Sequence, residues 1–361
     1  MALSVLIAGG GTGGHLYPGI AVARALLERM PDAQVTFVGT AAGIESRVVP
    51  REGFTLDVIR SAGLKGKSLP SLLRGLALLP ASAFDAWSVL SRRRPSVVIG
   101  VGGYSSGPVV GLATVRRIPT LLMEQNAVPG LTNRLLASLV SAAAVTYEDS
   151  LKVFGAKAFV AGNPVRPEFF RKEAYGDHSS PPGAARVLVF GGSQGAHAIN
   201  VAMVEAAPRL AAAAPAVAIT HQSGERDLEM VRDGYRRAGL EARVEPFLFA
   251  MDREMKSADL VVCRSGATTL AELTASARPS ILIPFPGATD DHQRKNAEVL
   301  ARNGAATMVE QRELTGERLA REILALVESE AERRRMGEAA ARLAKPDAAS
   351  AIVDKVVELA K

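Results

Sequence analysis

Val5-Leu6-Ile7-Ala8 runs into Gly9-Gly10-Gly11-Thr12-Gly13-Gly14-His15, and an apolar-periodic segment spanning residues 20–27 follows. Four apolar residues without alternation mark a strand buried on both faces, the glycines a tight turn, and the later spacing a helix. Backbone N–H groups left open where such a helix begins form a site for phosphate or a similar anion. The arrangement returns where Val187-Leu188-Val189-Phe190 leads into Gly191-Gly192-Ser193-Gln194-Gly195-Ala196-His197. Overlaid, Gly9, Gly10, Gly13 and His15 fall on Gly191, Gly192, Gly195 and His197. Two similar α/β units, each with its own phosphate-type turn, are expected.

The chain has 361 residues, enough for two full cores. A single cysteine, Cys263, excludes a disulfide framework and suits a reducing compartment. The apolar run at 3–8 is too short for a signal peptide, and no stretch approaches the apolar length of a bilayer span. The formal charge is +6, but residues 1–163 hold 16 lysines and arginines against 9 acids. Between Lys65 and Arg117 the basic residues are Lys65, Lys67, Arg74, Arg92, Arg93, Arg94, Arg116 and Arg117, with Asp85 the one acid. That asymmetry points to an anionic surface or ligand on the first unit.

Strand-like runs are read at 4–8, 34–38, 55–59, 97–101, 120–123, 142–145 and 159–161, then at 186–190, 216–220, 242–245, 260–263, 280–283 and 306–309. Helical patterns lie between most of them, and in the second half they fall at 198–212, 227–238, 267–276, 293–303, 316–326 and 330–343. Such alternation predicts doubly wound parallel sheets. Gly162-Asn163-Pro164-Val165-Arg166-Pro167 reads as a linker, and a polar, proline-bearing stretch at 177–183 precedes the second glycine unit. A final amphipathic helix at 348–361 carries Ile352, Val356 and Leu359 as a stripe that must be buried.

Gly9-x-Gly11-x-x-Gly14 matches the dinucleotide fingerprint, yet the second strand ends in Gly39-Thr40 without the carboxylate that holds a ribose in NAD(P) enzymes. Gly102-Gly103-Tyr104-Ser105-Ser106-Gly107-Pro108 is a further glycine turn, read either as a tight connection or as part of a shared anion site. Arg264-Ser265-Gly266-Ala267-Thr268-Thr269-Leu270-Ala271-Glu272 opens a helix with Thr268 and Glu272 on one face. Its amides suit phosphate and its carboxylate a ribose diol; the competing reading is a solvated glutamate. His15 is either a general base or a structural cap of the turn. Asp290-Asp291-His292 reads as helix capping rather than a metal site. Leu72, Leu73, Leu76, Leu79, Phe84 and Trp87 form a helical stripe, interrupted at Pro80, that either packs on its own sheet or meets an anionic membrane.

Together these motifs resemble the MurG family of peptidoglycan glycosyltransferases. The matching segments are Gly10-Gly11-Thr12-Gly13-Gly14-His15, Gly102-Gly103-Tyr104-Ser105-Ser106-Gly107-Pro108, Glu124-Gln125-Asn126 with Gly130-Leu131-Thr132-Asn133, Gly162-Asn163-Pro164-Val165-Arg166, Gly191-Gly192-Ser193-Gln194-Gly195-Ala196, His221-Gln222-Ser223-Gly224 and Arg264-Ser265-Gly266-Ala267 with Glu272. The resemblance implies an α/β protein of two doubly wound Rossmann-like domains facing across a cleft (GT-B). Residues 1–163 with the helix at 347–361 would form the acceptor and membrane-facing domain, and 164–346 the UDP-sugar domain.

The implied reaction is inverting transfer of N-acetylglucosamine from UDP-N-acetylglucosamine to the muramyl 4-hydroxyl of undecaprenyl-pyrophosphoryl-MurNAc-pentapeptide. Carried over by motif, Glu272 binds the ribose and Ser193 the diphosphate. Arg166, Leu248, Ala267, Thr268, Thr269, Leu270 and Gln293 line the uridine and phosphate site. Thr12, Gly13, Gly14 and Asn126 meet the donor sugar, while Gly11, Gly102, Gly103 and Ser105 face the acceptor diphosphate. His15 is the first candidate base, with Glu124 and Tyr104 behind it. The family implies no cofactor, no protein-bound metal and no nucleic acid, but a peripheral place on the cytoplasmic face of the plasma membrane beside wall-synthesis proteins. His197 stands where the family usually has arginine, which predicts a weaker, pH-dependent phosphate contact there. Rival readings are a related transferase acting on diacylglycerol, a non-catalytic nucleotide-sugar sensor and an NAD(P) oxidoreductase.

Overall fold

The computed structural model describes residues 2–61, 77–171, 183–192, 194–213 and 216–361. The chain divides into two compact units, Met1–Val165 with Lys345–Lys361, and Arg166–Ala344. In the first unit β1 (Ser4–Gly9), β2 (Gln34–Gly39), β3 (Thr55–Val58), β4 (Val97–Gly102), β5 (Thr120–Glu124), β6 (Ala142–Val145) and β7 (Ala158–Val160) form one sheet. Its order is β3-β2-β1-β4-β5-β6-β7, and every pairing is parallel. In the second, β8 (Ala185–Phe190), β9 (Val217–Gln222), β10 (Ala242–Glu245), β11 (Leu260–Cys263), β12 (Ser280–Leu282) and β13 (Thr307–Met308) run in the order β10-β9-β8-β11-β12-β13. The strands read from the sequence are all present, with ends moved by one or two residues.

Burial explains why β1 is apolar throughout. Val5 and Ile7 pack with Leu16, Ile20 and Leu26 on one face, while Leu6 and Ala8 pack with Val89, Leu90, Val109 and Val110 on the other. Strand order reverses between β1 and β4, and again between β8 and β11. The glycine turns at 9–14 and 102–103 follow β1 and β4, while the turn at 191–195 and Gly266 follow β8 and β11. Each unit therefore carries its turns at the carboxyl ends of strands flanking a switch point, where doubly wound sheets bind ligands.

The helix Ala348–Leu359 belongs to the first unit and lies against the helix Gly13–Arg29. Ile352 and Val356 are buried as the stripe requires, Val353 joins them, and Leu359 is half-buried. Ile352→Ala is expected to destabilise this unit by about 2–5 kcal/mol through lost burial and the cavity left behind. Trp87 is the chain's single tryptophan and lies in the first unit, so its fluorescence during denaturant unfolding checks this value. A change below about 1 kcal/mol would mean that the helix is not an integral part of that core.

The helical stripe is partly a correction. The helix Leu79–Arg93 begins with Pro80 in its first turn and covers the sheet with Ser82, Ala86, Val89 and Leu90. Leu79, Phe84 and Trp87 instead face solvent, at 44%, 69% and 51% exposure. The apolar spacing is helical, but Ser82, Ala86, Val89 and Leu90 rather than the stripe make the approach to the sheet. Leu72, Leu73 and Leu76 lie outside the described residues.

Candidate active site

In the first unit the two glycine turns lie backbone to backbone. Gly103 has φ +80°, and a Cβ there would stand 2.4 Å from the Gly10 carbonyl oxygen, so only glycine allows both the conformation and the approach. The ring of Tyr104 lies beside Gly11, whose Cβ position is 3.2 Å from Tyr104 Cε1. His15 stands in the first turn of the following helix, half-buried, with Nδ1 3.3 Å from Gln125 Oε1. Thr12 is the exposed N-cap residue of that helix, and Gly13 and Gly14 complete the turn.

Gly11 does not keep its amide for a ligand. Its N–H donates to Glu45 Oε2 at 2.8 Å, while Thr40 N–H and Oγ1–H both donate to Glu45 Oε1 at 2.9 Å. Glu45 is fully buried, and its carboxylate holds the turn as a bound anion would. Gly11 is therefore a tethered residue whose N–H is already engaged. The sequence reading passed over Glu45 because an acid opening a short helix ordinarily serves the helix dipole.

Glu124 is also committed to the backbone around it. Its Oε1 accepts from Asn126 N–H at 3.0 Å and Asn126 Nδ2 at 3.2 Å, and its Oε2 from Gly130 N–H at 3.0 Å and Asn133 Nδ2 at 2.8 Å. Four donors on two oxygens make Glu124 the anchor of the loop at 125–133 and leave it poorly placed to take a proton. Ser105 and Ser106, beside Gly103 at the start of the helix Ser106–Val115, have buried hydroxyls with no hydrogen-bond partner among the described residues. Unmet polar groups at a helix N-terminus next to Gly102 and Gly103 suit an anionic ligand.

In the second unit Gly195 has φ +75°, and a Cβ there would lie 1.9 Å from the Ser223 carbonyl oxygen, so this turn too depends on glycine. Ser193 lies outside the described residues. Gln222, buried at the end of β9, donates to the Gly192 carbonyl at 2.7 Å and accepts from Leu248 N–H at 3.1 Å. One side chain thus ties the glycine turn to the loop carrying Leu248, a role that sequence spacing does not reveal. Leu248 is left with its carbonyl as its polar offering.

His197 opens the helix His197–Ala211, and its Nδ1 meets Asp227 Oδ2 at 2.9 Å. Burial opposes charge on Asp227, but hydrogen bonds from His197 and Asn200 outweigh it and hold the carboxyl below its usual range. His221 is sealed between Tyr235 OH at 2.7 Å and Asn200 Oδ1 at 3.0 Å, and burial pushes its pKa down to about 3, which keeps it neutral and structural.

The helix Ala267–Ala275 starts after Gly266, with Thr268 and Thr269 part-exposed in its first turn and Ala267 buried. Leu270 is 1% exposed and its N–H bonds to the Gly266 carbonyl, so its side chain packs into the core. Glu272 is half-buried rather than solvated. Desolvation pushes its carboxyl up to about 7, with Arg166 lowering it and Asp252 raising it. Gln293 accepts from Phe285 N–H at 3.0 Å, and its carbonyl accepts from Ser265 Oγ at 2.8 Å, so it braces the loop after β12. Arg264, which the motif reading left without a role, donates to the Ile283 and Pro284 carbonyls at 3.0 and 3.1 Å and binds the same loop.

Two doubly wound parallel units with glycine turns at their switch points are the architecture of the GT-B fold class. The chain belongs to glycosyltransferase family 28 and, within it, to the MurG family. The N-terminal domain of family 28 matches residues 5–145 and its C-terminal domain residues 186–352. The UDP-N-acetylglucosamine--N-acetylmuramyl-(pentapeptide) pyrophosphoryl-undecaprenol N-acetylglucosamine transferase of Anaeromyxobacter sp. (strain K) is 50% identical over 360 residues, covering 99% of this chain and 94% of that protein. The protein of the same name from Pelobacter propionicus is 48% identical over 375 residues, covering 98% and 99%. The crystal structure of Acinetobacter baumannii MurG superposes with a TM-score of 0.80 at 29% identity, covering 99% of each chain.

Proposed function

We propose that this chain transfers N-acetylglucosamine from UDP-N-acetylglucosamine to the muramyl 4-hydroxyl of undecaprenyl-pyrophosphoryl-MurNAc-pentapeptide, with inversion at the anomeric carbon. The observation that carries the reading is the 50% identity to a transferase of that name over 99% of the chain. In the second unit Glu272 accepts the ribose hydroxyls, and the amides opening the helix Ala267–Ala275 face the diphosphate, with Thr268, Thr269, Ala267 and Ser193 around it. Arg166, Leu248 and Gln293 complete the uridine side. In the first unit Gly102, Gly103 and Ser105 take the acceptor diphosphate, and Thr12, Gly13, Gly14 and Asn126 meet the donor sugar.

The muramyl O4 attacks the donor's anomeric carbon as the bond from that carbon to the UDP oxygen breaks, and the 4-hydroxyl proton passes to His15. Negative charge grows on the departing diphosphate, where fixed amide dipoles are most effective. Glu124 serves by placing Asn126, and Tyr104 by walling the turn at Gly11. The test is incubation of the full chain with UDP-N-acetylglucosamine and the polyprenyl-pyrophosphoryl muramyl-pentapeptide, with product read as the disaccharide lipid. Transfer to diacylglycerol with none to the muramyl lipid would replace the acceptor; binding without turnover would make the chain a sensor.

The chain acts at the cytoplasmic face of the plasma membrane as a peripheral protein, beside other proteins of wall synthesis. None of the helices in the described residues is long and apolar enough to cross a bilayer. Supporting the peripheral reading, Leu79, Phe84 and Trp87 are exposed, Arg116 lies over the Trp87 ring at 4.8 Å, and Arg94 and Arg117 are exposed in the same unit. Arg92 and Arg93 both pair with Asp57, at 3.2 and 2.8 Å, so neither counts toward that border. Each basic residue near an anionic surface contributes about 1 kcal/mol. Replacing Phe84 and Trp87 together with serine is expected to weaken binding to phosphatidylglycerol vesicles by about 10- to 100-fold while UDP-N-acetylglucosamine affinity stays within about twofold. Undiminished vesicle binding by the folded variant would remove this face from the membrane contact.

A further inference from the structure

We infer that Gln125 is a positioning residue that fixes His15 as its Nδ1–H tautomer and so makes Nε2 the basic nitrogen. Gln125 follows β5 and is 2% exposed, so its amide must be satisfied within the protein. Its Nε2 donates to the Val101 carbonyl at 3.1 Å. A carbonyl oxygen only accepts, so this bond decides which way round the amide lies. Oε1 is thereby turned toward His15, 3.3 Å from Nδ1. Because Oε1 also only accepts, Nδ1 must carry the proton, and the neutral ring's lone pair is on Nε2.

Three neighbouring strand ends supply this arrangement. Val101 lies in β4, Gln125 follows β5, and His15 opens the helix after β1. The ring is also held against Gly102, where a Cβ would stand 2.8 Å from His15 Nδ1. The carbonyl of one strand thus sets the chemistry of a side chain on the helix after another, through a buried amide. The inference rests on the reading of His15 as the base, and its test is separable from that reading.

Two-bond proton–nitrogen spectra of the full chain labelled with 15N-histidine report the tautomer directly. With five histidines in the chain, loss of one pattern in His15→Ala assigns the signal. The native spectrum at high pH should show His15 protonated at Nδ1. An Nε2–H pattern there would overturn the inference without any variant having to fold. In Gln125→Leu the signal should move toward Nε2–H and kcat should fall about 10- to 100-fold, the usual cost of losing such a supporting contact, with KM for UDP-N-acetylglucosamine within about twofold. Gln125→Glu keeps an acceptor for Nδ1–H but gives up the bond to the Val101 carbonyl, and should restore the native tautomer with only part of the rate. A native tautomer and rate in Gln125→Leu would also overturn the inference. Undiminished turnover by His15→Ala would remove His15 as the base, while an Nδ1–H signal in the native protein would still support the Gln125 contact.

Discussion

His15→Ala should lower kcat by about 10²- to 10⁴-fold, the span of a positioned general base, while UDP-N-acetylglucosamine affinity stays within about twofold. The expectation follows from what the candidate side chains are doing. Glu124 spends both carboxylate oxygens on four donors from Asn126, Gly130 and Asn133. Taking a proton there would set a hydroxyl against donors already in place. Tyr104 lies with its ring against Gly11 and serves as a wall of the turn. His15 is the candidate whose neutral ring offers a nitrogen lone pair as a proton acceptor. Single-turnover transfer with preloaded donor separates chemistry from binding, and His15→Gln adds a check because it keeps polarity and size without basicity. A rate within threefold of native for both variants would end His15's candidacy and return the question to groups on the acceptor itself.

The fold was largely legible because parallel strands buried on both faces must be apolar at every position. Val5-Leu6-Ile7-Ala8 and Val187-Leu188-Val189-Phe190 could hardly be anything else, and the glycines after them mark where backbone approaches backbone. The C-terminal helix was legible for a related reason, since Ile352 and Val356 needed cover. Less legible were side chains that serve distant backbone groups. Glu45 reaches the Gly11 amide 34 residues away and Gln222 reaches the Gly192 carbonyl 30 residues away, and no periodicity or motif records such a bond. Membership of a motif likewise says nothing about which face of a helix a residue occupies, and the Leu270 side chain turns inward. Phe84 and Trp87 show the opposite failure: helical spacing alone cannot say whether an apolar stripe turns inward, and here Ala86, Val89 and Leu90 take the inward face.

Donor binding should weaken about tenfold between pH 8 and pH 6, with Glu272 as the cause. In the free protein desolvation pushes this carboxyl up to about 7, so it is largely ionised at pH 8 and largely protonated at pH 6. A ribose diol donates hydrogen bonds, and it is best received by the ionised carboxylate. Binding therefore favours deprotonation, the carboxyl's pKa falls in the complex, and at pH 6 the proton must be lost on binding. The sign is fixed by that sequence: affinity is full above about 7 and declines as pH falls through it, approaching tenfold per unit. The donor's diphosphate is esterified at both ends and stays ionised throughout this range, so the ligand contributes no titration of its own. Calorimetry at pH 6 in two buffers of different ionisation enthalpy should report close to one proton released per donor bound. Glu272→Gln should bind about 10- to 100-fold more weakly at pH 8, the value of hydrogen bonds to a charged group, and should lose the decline on acidification. A variant that declined like the native protein would assign the titration to a group other than Glu272 and take the ribose contact away from this residue.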